Sequence, residues 1–325
     1  MAFVADTLST LSGRNDSATR TLSPGTFAAL LLGAAALLWS GNFFVGRIMA
    51  GTLPPATLSL ARWSLAFLLL LPFTGRELIA RADVVRRHWP LLLACGVLNI
   101  AVFTVLIYAG LAHTSLINGS LIGSCAPIVV GILGWLILRD GTSRRQRLAL
   151  GISTAGVALI VLRGDFSHLS GLALNTGDLL LFLGICAFGL YAVLLKRFPC
   201  PLSPAAALTA SIPFGLVALA PFGVMEMADG TLGLAHPGAW HTALLSVAYV
   251  ASLPTLGFVL WARGASVLGP ARAGQFLQLM PVFGSGLAIG LLGEVPQLYH
   301  GIGLALVAGG LALRDRAMPE PAERS

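Results

Sequence analysis

The sequence predicts an all-α polytopic membrane protein whose ten transmembrane helices form two inverted five-helix repeats. Three observations lead there. Of the 325 residues, 56% are hydrophobic and only 10% are charged. An ordinary soluble domain carries about 25% charged residues, and the mean hydropathy of +0.86 points the same way. The apolar residues fall into runs of membrane length. One such run, residues 115–140, contains Pro127 and closes on Asp140, and the pattern returns 154 positions later as Pro281 and Glu294.

Residues 1–24 are polar, rich in Ser and Thr, and read as a disordered cytoplasmic tail. Ten apolar segments follow at roughly 27–48, 55–73, 90–111, 115–138, 148–162, 179–195, 205–224, 243–261, 271–292 and 298–313. The fifth, sixth and tenth are short for a hydrocarbon core of ~30 Å and need snorkelling ends or local thinning. Short connections make successive helices antiparallel. With the N-terminus inside, sixteen of the twenty Lys and Arg residues fall on the cytoplasmic side. Arg47 and Arg163 fall outside, as does the loop at 225–240, which has no Lys or Arg. That bias is the one expected of cytoplasmic loops. It places both termini in the cytoplasm, the second being the tail at 316–325, in a multi-pass protein of the cell (inner) membrane. The net charge of +7 is thereby explained without a nucleic-acid partner. Cys95, Cys125, Cys186 and Cys200 have no metal spacing and suggest no disulfide framework.

The two halves match in order. Trp39 to Arg47 pairs with Phe188 to Lys196, and Pro72 with Pro221, at an offset of 149. Tyr108 pairs with Trp261 at 153, and Pro127, Asp140, Ala149 and Gly156 pair with Pro281, Glu294, Gly303 and Gly310 at 154. Each half, 25–163 and 175–315, holds five segments. Five is odd, so the second half enters the membrane from the opposite side. Inverted repeats of this kind place a substrate site near the bilayer midplane.

The stretches WSGNFFVGR at 39–47, Leu58 to Arg62, Tyr108 to Pro127, FGLYAVLLKR at 188–197, Trp261 to Pro281 and GLLGE at 290–294 resemble the EamA-like family of the drug/metabolite transporter superfamily. Asp140 stands where that family usually has Glu, and Ala149 where it usually has Gly. The resemblance covers about 25–315. It implies movement of small metabolites, often amino acids or related amphipathic compounds, by a protein of two five-helix modules.

Several polar residues interrupt the apolar runs and are the substrate-binding candidates. Arg62 lies in the second segment, where a charge at membrane depth is a site hypothesis by default. It could also reach the outer headgroups or tie down backbone carbonyls. Asn42 and Asn99 are amides at depth, and Tyr108 and Tyr191 offer an aromatic wall together with Trp39 and Trp261. Arg272, Gln275 and Gln278 recur at spacing three before Pro281, on one broad helix face. Their counterparts are Asn118, Leu121 and Ser124. Pro127 and Pro281 are hinge candidates, because an internal proline removes a helix hydrogen bond. The glycine pairs Gly119 with Gly123 and Gly286 with Gly290 suggest small-xxx-small seams. Asp140 and Glu294 read as edge residues before they read as proton carriers, and Asp178 reads as a helix N-cap.

No catalytic motif, metal-binding spacing or cofactor loop is present in the sequence, so no enzyme activity, metal or cofactor is expected. The expected partners are a small-molecule substrate and the lipid bilayer. Proton coupling stays open, as does the choice between a monomer and a homodimer. The function expected is secondary transport by alternating access, with export favoured. A membrane-embedded enzyme and a non-transporting scaffold or sensor are the alternatives.

Overall fold

The computed structural model describes residues 23–114, 119, 122, 123, 125–139, 143–165, 175–230, 232, 233, 238–292 and 295–315. The expected tails and the residues Asn118, Leu121, Ser124, Asp140 and Glu294 lie outside that set. The described chain is helical, with no strand among the described residues. We label the main elements α1 (Pro24–Met49), α2 (Pro55–Ala80), α3 (Trp89–His113), α4 (Ala126–Leu138) and α5 (Arg144–Val161). Then come α6 (Thr176–Arg197), α7 (Pro204–Ala228), α8 (Ala239–Leu268), α9 (270–292) and α10 (Leu298–Asp315). Six of them, α1, α2, α3, α6, α7 and α8, are long and apolar enough to cross a membrane, and α4 and α10 contain shorter apolar helices. Large apolar side chains such as Phe73 and Val217 are 84% and 74% exposed. In water they would be aggregation sites; against acyl chains they are the expected surface. The protein is thus a multi-pass membrane protein.

Local chemistry sets the helix starts. Pro55 and Pro204 occupy the first helical position of α2 and α7, where the missing N–H costs nothing. A capping box opens α5: the Ser143 hydroxyl accepts from the Gln146 N–H at 3.2 Å, and the Gln146 side chain accepts from the Ser143 N–H at 2.9 Å. Another opens α6, but its N-cap is Asn175, with Asp178 three residues on as the reciprocal acceptor. Asp178 is therefore the second member of the box rather than the cap itself.

Two helices are irregular. In α3 the stretch Gly96–Phe103 is a π-helix, flanked by Trp89–Cys95 and Thr104–His113 in α geometry. In α9 the 3-10 turn Phe276–Gln278 joins Pro270–Gln275 to Leu279–Leu292. Of the prolines expected inside helices 4 and 9, Pro127 sits at a helix start, whereas Pro281 lies within α9 just past its irregular turn. Pro127 is the second residue of α4, where its missing N–H is an orphan in any case. Pro281 is the third residue after the 3-10 turn. The prolines truly inside continuous helices are Pro72, Pro213, Pro221 and Pro254.

The tertiary packing pairs α5 with α10, α2 with α7, α1 with α8, and α3 with α6. Further contacts join α4 to α6, α1 to α9 and α4 to α9. Close backbone approach makes the α5–α10 pair. A Cβ on Gly156 would lie 2.7 Å from the Gly303 carbonyl oxygen, and one on Gly310 would lie 2.6 Å from that of Ala149. The expected seam at Gly286 is different: a Cβ there would meet nothing within 4 Å. A small residue permits close packing only on the face that has a neighbour.

The pair α2–α7 is tied at both ends by carboxylates. Pro54, at the start of α2, has no side-chain acceptor to cap the helix. Glu226, near the end of α7, supplies it: its oxygens accept from Ala56 N–H at 3.1 Å, Thr57 N–H at 2.7 Å and the Thr57 hydroxyl at 2.9 Å. At the other end Glu77 of α2 accepts from the N–H and hydroxyl of Ser203, the N-cap of α7, at 2.7 and 2.6 Å. Carboxylates at helix N-termini satisfy orphan donors and complement the helix dipole.

The α5–α10 seam predicts a stability difference. Gly156→Leu should lower the unfolding free energy by about 1–3 kcal/mol, the usual cost of overpacking, in a detergent thermal melt. Gly131→Leu, which meets nothing within 4 Å, should leave the melt nearly unchanged.

Candidate functional site

The sequence-selected residues fall into two groups. Asn42, Arg62 and Tyr108 come together from α1, α2 and α3. The Arg62 Nη1 donates to the Tyr108 hydroxyl at 2.8 Å and to Asn42 Oδ1 at 3.5 Å. The Tyr108 hydroxyl donates in turn to Asn42 Oδ1 at 3.1 Å. Arg62 is only 1% exposed, so it neither snorkels nor reaches a headgroup. Its guanidinium carbon lies 4.9 Å from the Trp63 ring and 5.9 Å from the Phe258 ring, within cation–π range. The first of these rings is its own sequence neighbour; the second comes from α8. A cavity of about 80 Å³ adjoins the triad, lined by Tyr108 and Ala112 of α3, Leu58 of α2 and the turn that precedes α2.

The second group belongs to α9. Gln275 and Gln278 are buried, at and within the 3-10 turn. The Gln278 amide nitrogen donates to the Thr154 hydroxyl of α5 at 2.8 Å, across the bundle rather than toward the triad. The side-chain oxygens of both glutamines have no partner among the described residues. Arg272 is half-buried in the first turns of α9. Asn118 and Ser124, the expected counterparts, lie outside the described residues.

An aromatic cluster fills the space between the groups. Trp39 packs on Phe258 at 4.8 Å, Phe188 on Trp261 at 5.2 Å, and Phe188 on Tyr191 at 6.0 Å between ring centroids. The Trp39 indole donates to the Pro254 carbonyl at 2.7 Å. It can lie that close to α8 because residue 257 is glycine, where a Cβ would stand 2.7 Å from the indole nitrogen. Trp261 is 1% exposed, so it is a wall of this cluster and not an interfacial anchor.

Asn99 stands apart. It is fully buried in the π segment of α3, and neither amide atom has a partner among the described residues. Such segments widen a helix locally and recur at functional sites. The sequence GVLNIAVF carries no signal for the π turn. Phe188, Phe258 and Trp63 also escaped selection, since an apolar residue in an apolar run does not stand out. Glu77 and Glu226 were findable: they are 149 positions apart, the offset that also relates Pro72 to Pro221.

Comparison with known proteins now adds the family. Residues 26–162 and 175–314 each match the EamA-like transporter family. The chain belongs to that family. YyaM of Bacillus subtilis (strain 168), an uncharacterized transporter, is 27% identical over 285 residues, covering 87% of this chain and 91% of the relative. A probable terminal-alkyne amino-acid exporter of Streptantibioticus cattleyicolor is 25% identical over 296 residues, covering 91% of this chain and 94% of the relative. One solved crystal structure aligns with a TM-score of 0.64 at 17% identity, over 89% of this chain and 96% of that one. That likeness shows a shared fold. The family and these relatives are transporters, which places this EamA-like protein among transport proteins of the membrane.

The triad predicts its own stability cost. Tyr108→Phe leaves Nη1 of Arg62 with the longer Asn42 contact alone. Unfolding in detergent should become easier by about 1–3 kcal/mol, the range for a hydrogen bond to a buried charge. Tyr249→Phe, at a half-buried hydroxyl 3.3 Å from the Leu38 carbonyl, should cost clearly less in the same melt.

Proposed function

We propose that this EamA-like protein is a secondary transporter of small amphipathic metabolites, amino acids foremost, working by alternating access with export favoured. The triad of Arg62, Tyr108 and Asn42 carries the reading. It is a buried charge with two polar partners, held by three helices beside a cavity that reaches Tyr108. Ionisable groups inside a membrane mark substrate paths because burying them without a task is costly. The amino-acid part rests on the relative from Streptantibioticus cattleyicolor, which is a probable exporter of an amino acid.

The architecture proposed with it is ten spans in two inverted repeats, 25–163 and 175–315, with the tails 1–24 and 316–325 in the cytoplasm. The packing supports this. Exchanging each helix with the one five places on turns α1–α8 into α6–α3 and α1–α9 into α6–α4, and leaves α2–α7, α4–α9 and α5–α10 as self-pairs. The family match also falls once in each half. In this reading Asn99, Tyr191, Arg272, Gln275 and Gln278 line the path across from the triad. The 3-10 turn ahead of Pro281 is the pivot, since mid-helix 3-10 geometry often marks a hinge. Pro127 plays the matching part at the start of α4.

Purified protein in liposomes should show counterflow of at least one amino acid or small carboxylic or amphipathic metabolite. A folded protein that moves none of a broad metabolite screen sinks the transport reading. For topology, Asp229→Cys in a background lacking the four native cysteines should react with an impermeant maleimide on intact cells. Labelling only after permeabilisation overturns the orientation.

A further inference from the structure

The guanidinium of Arg62 is only half used. Both of its hydrogen bonds leave from Nη1. Its Nε is buried and has no partner among the described residues. Arg62 forms no ion pair with a described acid, and the described acids Glu226, Glu77 and Asp178 are committed elsewhere. Glu226 holds the backbone at Ala56 and Thr57, Glu77 holds Ser203, and Asp178 takes the Thr114 hydroxyl and the Asn175 N–H. The rings of Trp63 and Phe258 soften the charge but offer no acceptor for an N–H in the guanidinium plane.

We infer that the Nε edge of Arg62 receives a carboxylate of the transported molecule, so that the substrate class is a small carboxylic acid, zwitterionic amino acids included. This rests on the transport reading and narrows it. Nε–H and the neighbouring Nη2–H point in parallel, and this fork matches the two oxygens of a carboxylate. Tyr108 and Asn42 hold the other corner, so they position the guanidinium and leave the fork facing away from themselves. Tyr108, which holds the guanidinium, is also a wall of the cavity. The surroundings select further. Trp63 and Phe258 present apolar faces beside the fork, which suits an acid with an apolar body. A lone cation meets like charge with nothing to offset it. Amides and esters keep the shape of the acid but bring no charge, and leave Arg62 as uncompensated as before.

Counterflow and thermal-shift measurements on the full chain can decide this with three matched panels. These are the common amino acids, their primary amides, and short straight-chain monocarboxylates, with uncharged sugars and cationic dyes alongside. Acids should exchange and stabilise. Each amide should be at least about tenfold weaker than its acid, the loss expected for hydrogen bonds to a charged group. Arg62→Gln should erase the preference for acids over amides, and Arg62→Lys, which keeps the charge but loses the fork, should restore only part of it. If Arg62→Gln fails to fold, the acid-to-amide ratio of the unaltered protein still decides. Amides moving as well as acids, or flux confined to sugars or cations, overturns the carboxylate inference and leaves transport standing. So does an Arg62→Gln protein that keeps its preference. Absence of flux in every panel overturns the transport reading and this inference together.

Discussion

Inside a bilayer, hiding an apolar side chain against another helix gains little over leaving it in lipid. The bundle must therefore be held by close approach of backbones and by polar groups that have nowhere else to go. Both devices are visible. Gly156, Gly303 and Gly310 let α5 and α10 touch main chain to main chain. Glu77 and Glu226 accept from donors at the starts of α7 and α2 and so tie these two helices end to end. An aromatic cluster centred on Trp39, Phe188, Phe258 and Trp261 adds further long-range contacts. These rings can slide on one another more readily than a glycine seam can part.

That division of labour bears on where motion is cheap. The glycine contacts and carboxylate ties involve backbone and are directional. The aromatic cluster is bulky but tolerant of offset, since tilted and edge-on ring pairs are all favourable. The irregular backbone lies at two helix contacts: the π segment of α3 carries Asn99 and meets α7 through Gly96 and Gly215, and the 3-10 turn of α9 carries Gln278 and touches α1. Buried amides in those two segments, at Asn99 and Gln278, carry atoms with no partner among the described residues.

Much of this fold is legible in the sequence because lipid imposes a simple rule on it. Apolar runs mark helices, and they did so here to within a few residues. The helices overrun the runs where they leave the hydrocarbon: α2 continues from 73 to Ala80 through Thr74, Arg76 and Glu77, charged residues that stop a hydropathy window but not a helix. The triad was half legible. Asn42, Arg62 and Tyr108 stand out singly against an apolar background, but that they meet is a property of packing angles. The glycine pattern misled at Gly286 because spacing gives a face and not its neighbour. The proline pattern misled in kind: Pro127 starts a helix and does not bend one. The π turn was illegible, as its sequence would suit any buried helix.

The two carboxylate ties have a consequence for descent. Read as inverted copies, the halves each contribute one acid near the end of their second helix and one helix start that receives the other half's acid. Each acid serves the other half. A single five-helix polypeptide with those two features would already be self-complementary, two copies clasping head to tail about a two-fold axis in the membrane plane, as isologous dimers do. The present chain then carries one ancestral dimer contact twice, at opposite ends of α2 and α7. Fusion of the genes freed each tie to change alone. In α2 the cap is Pro54 and in α7 it is Ser203, so the twin contacts now differ in chemistry.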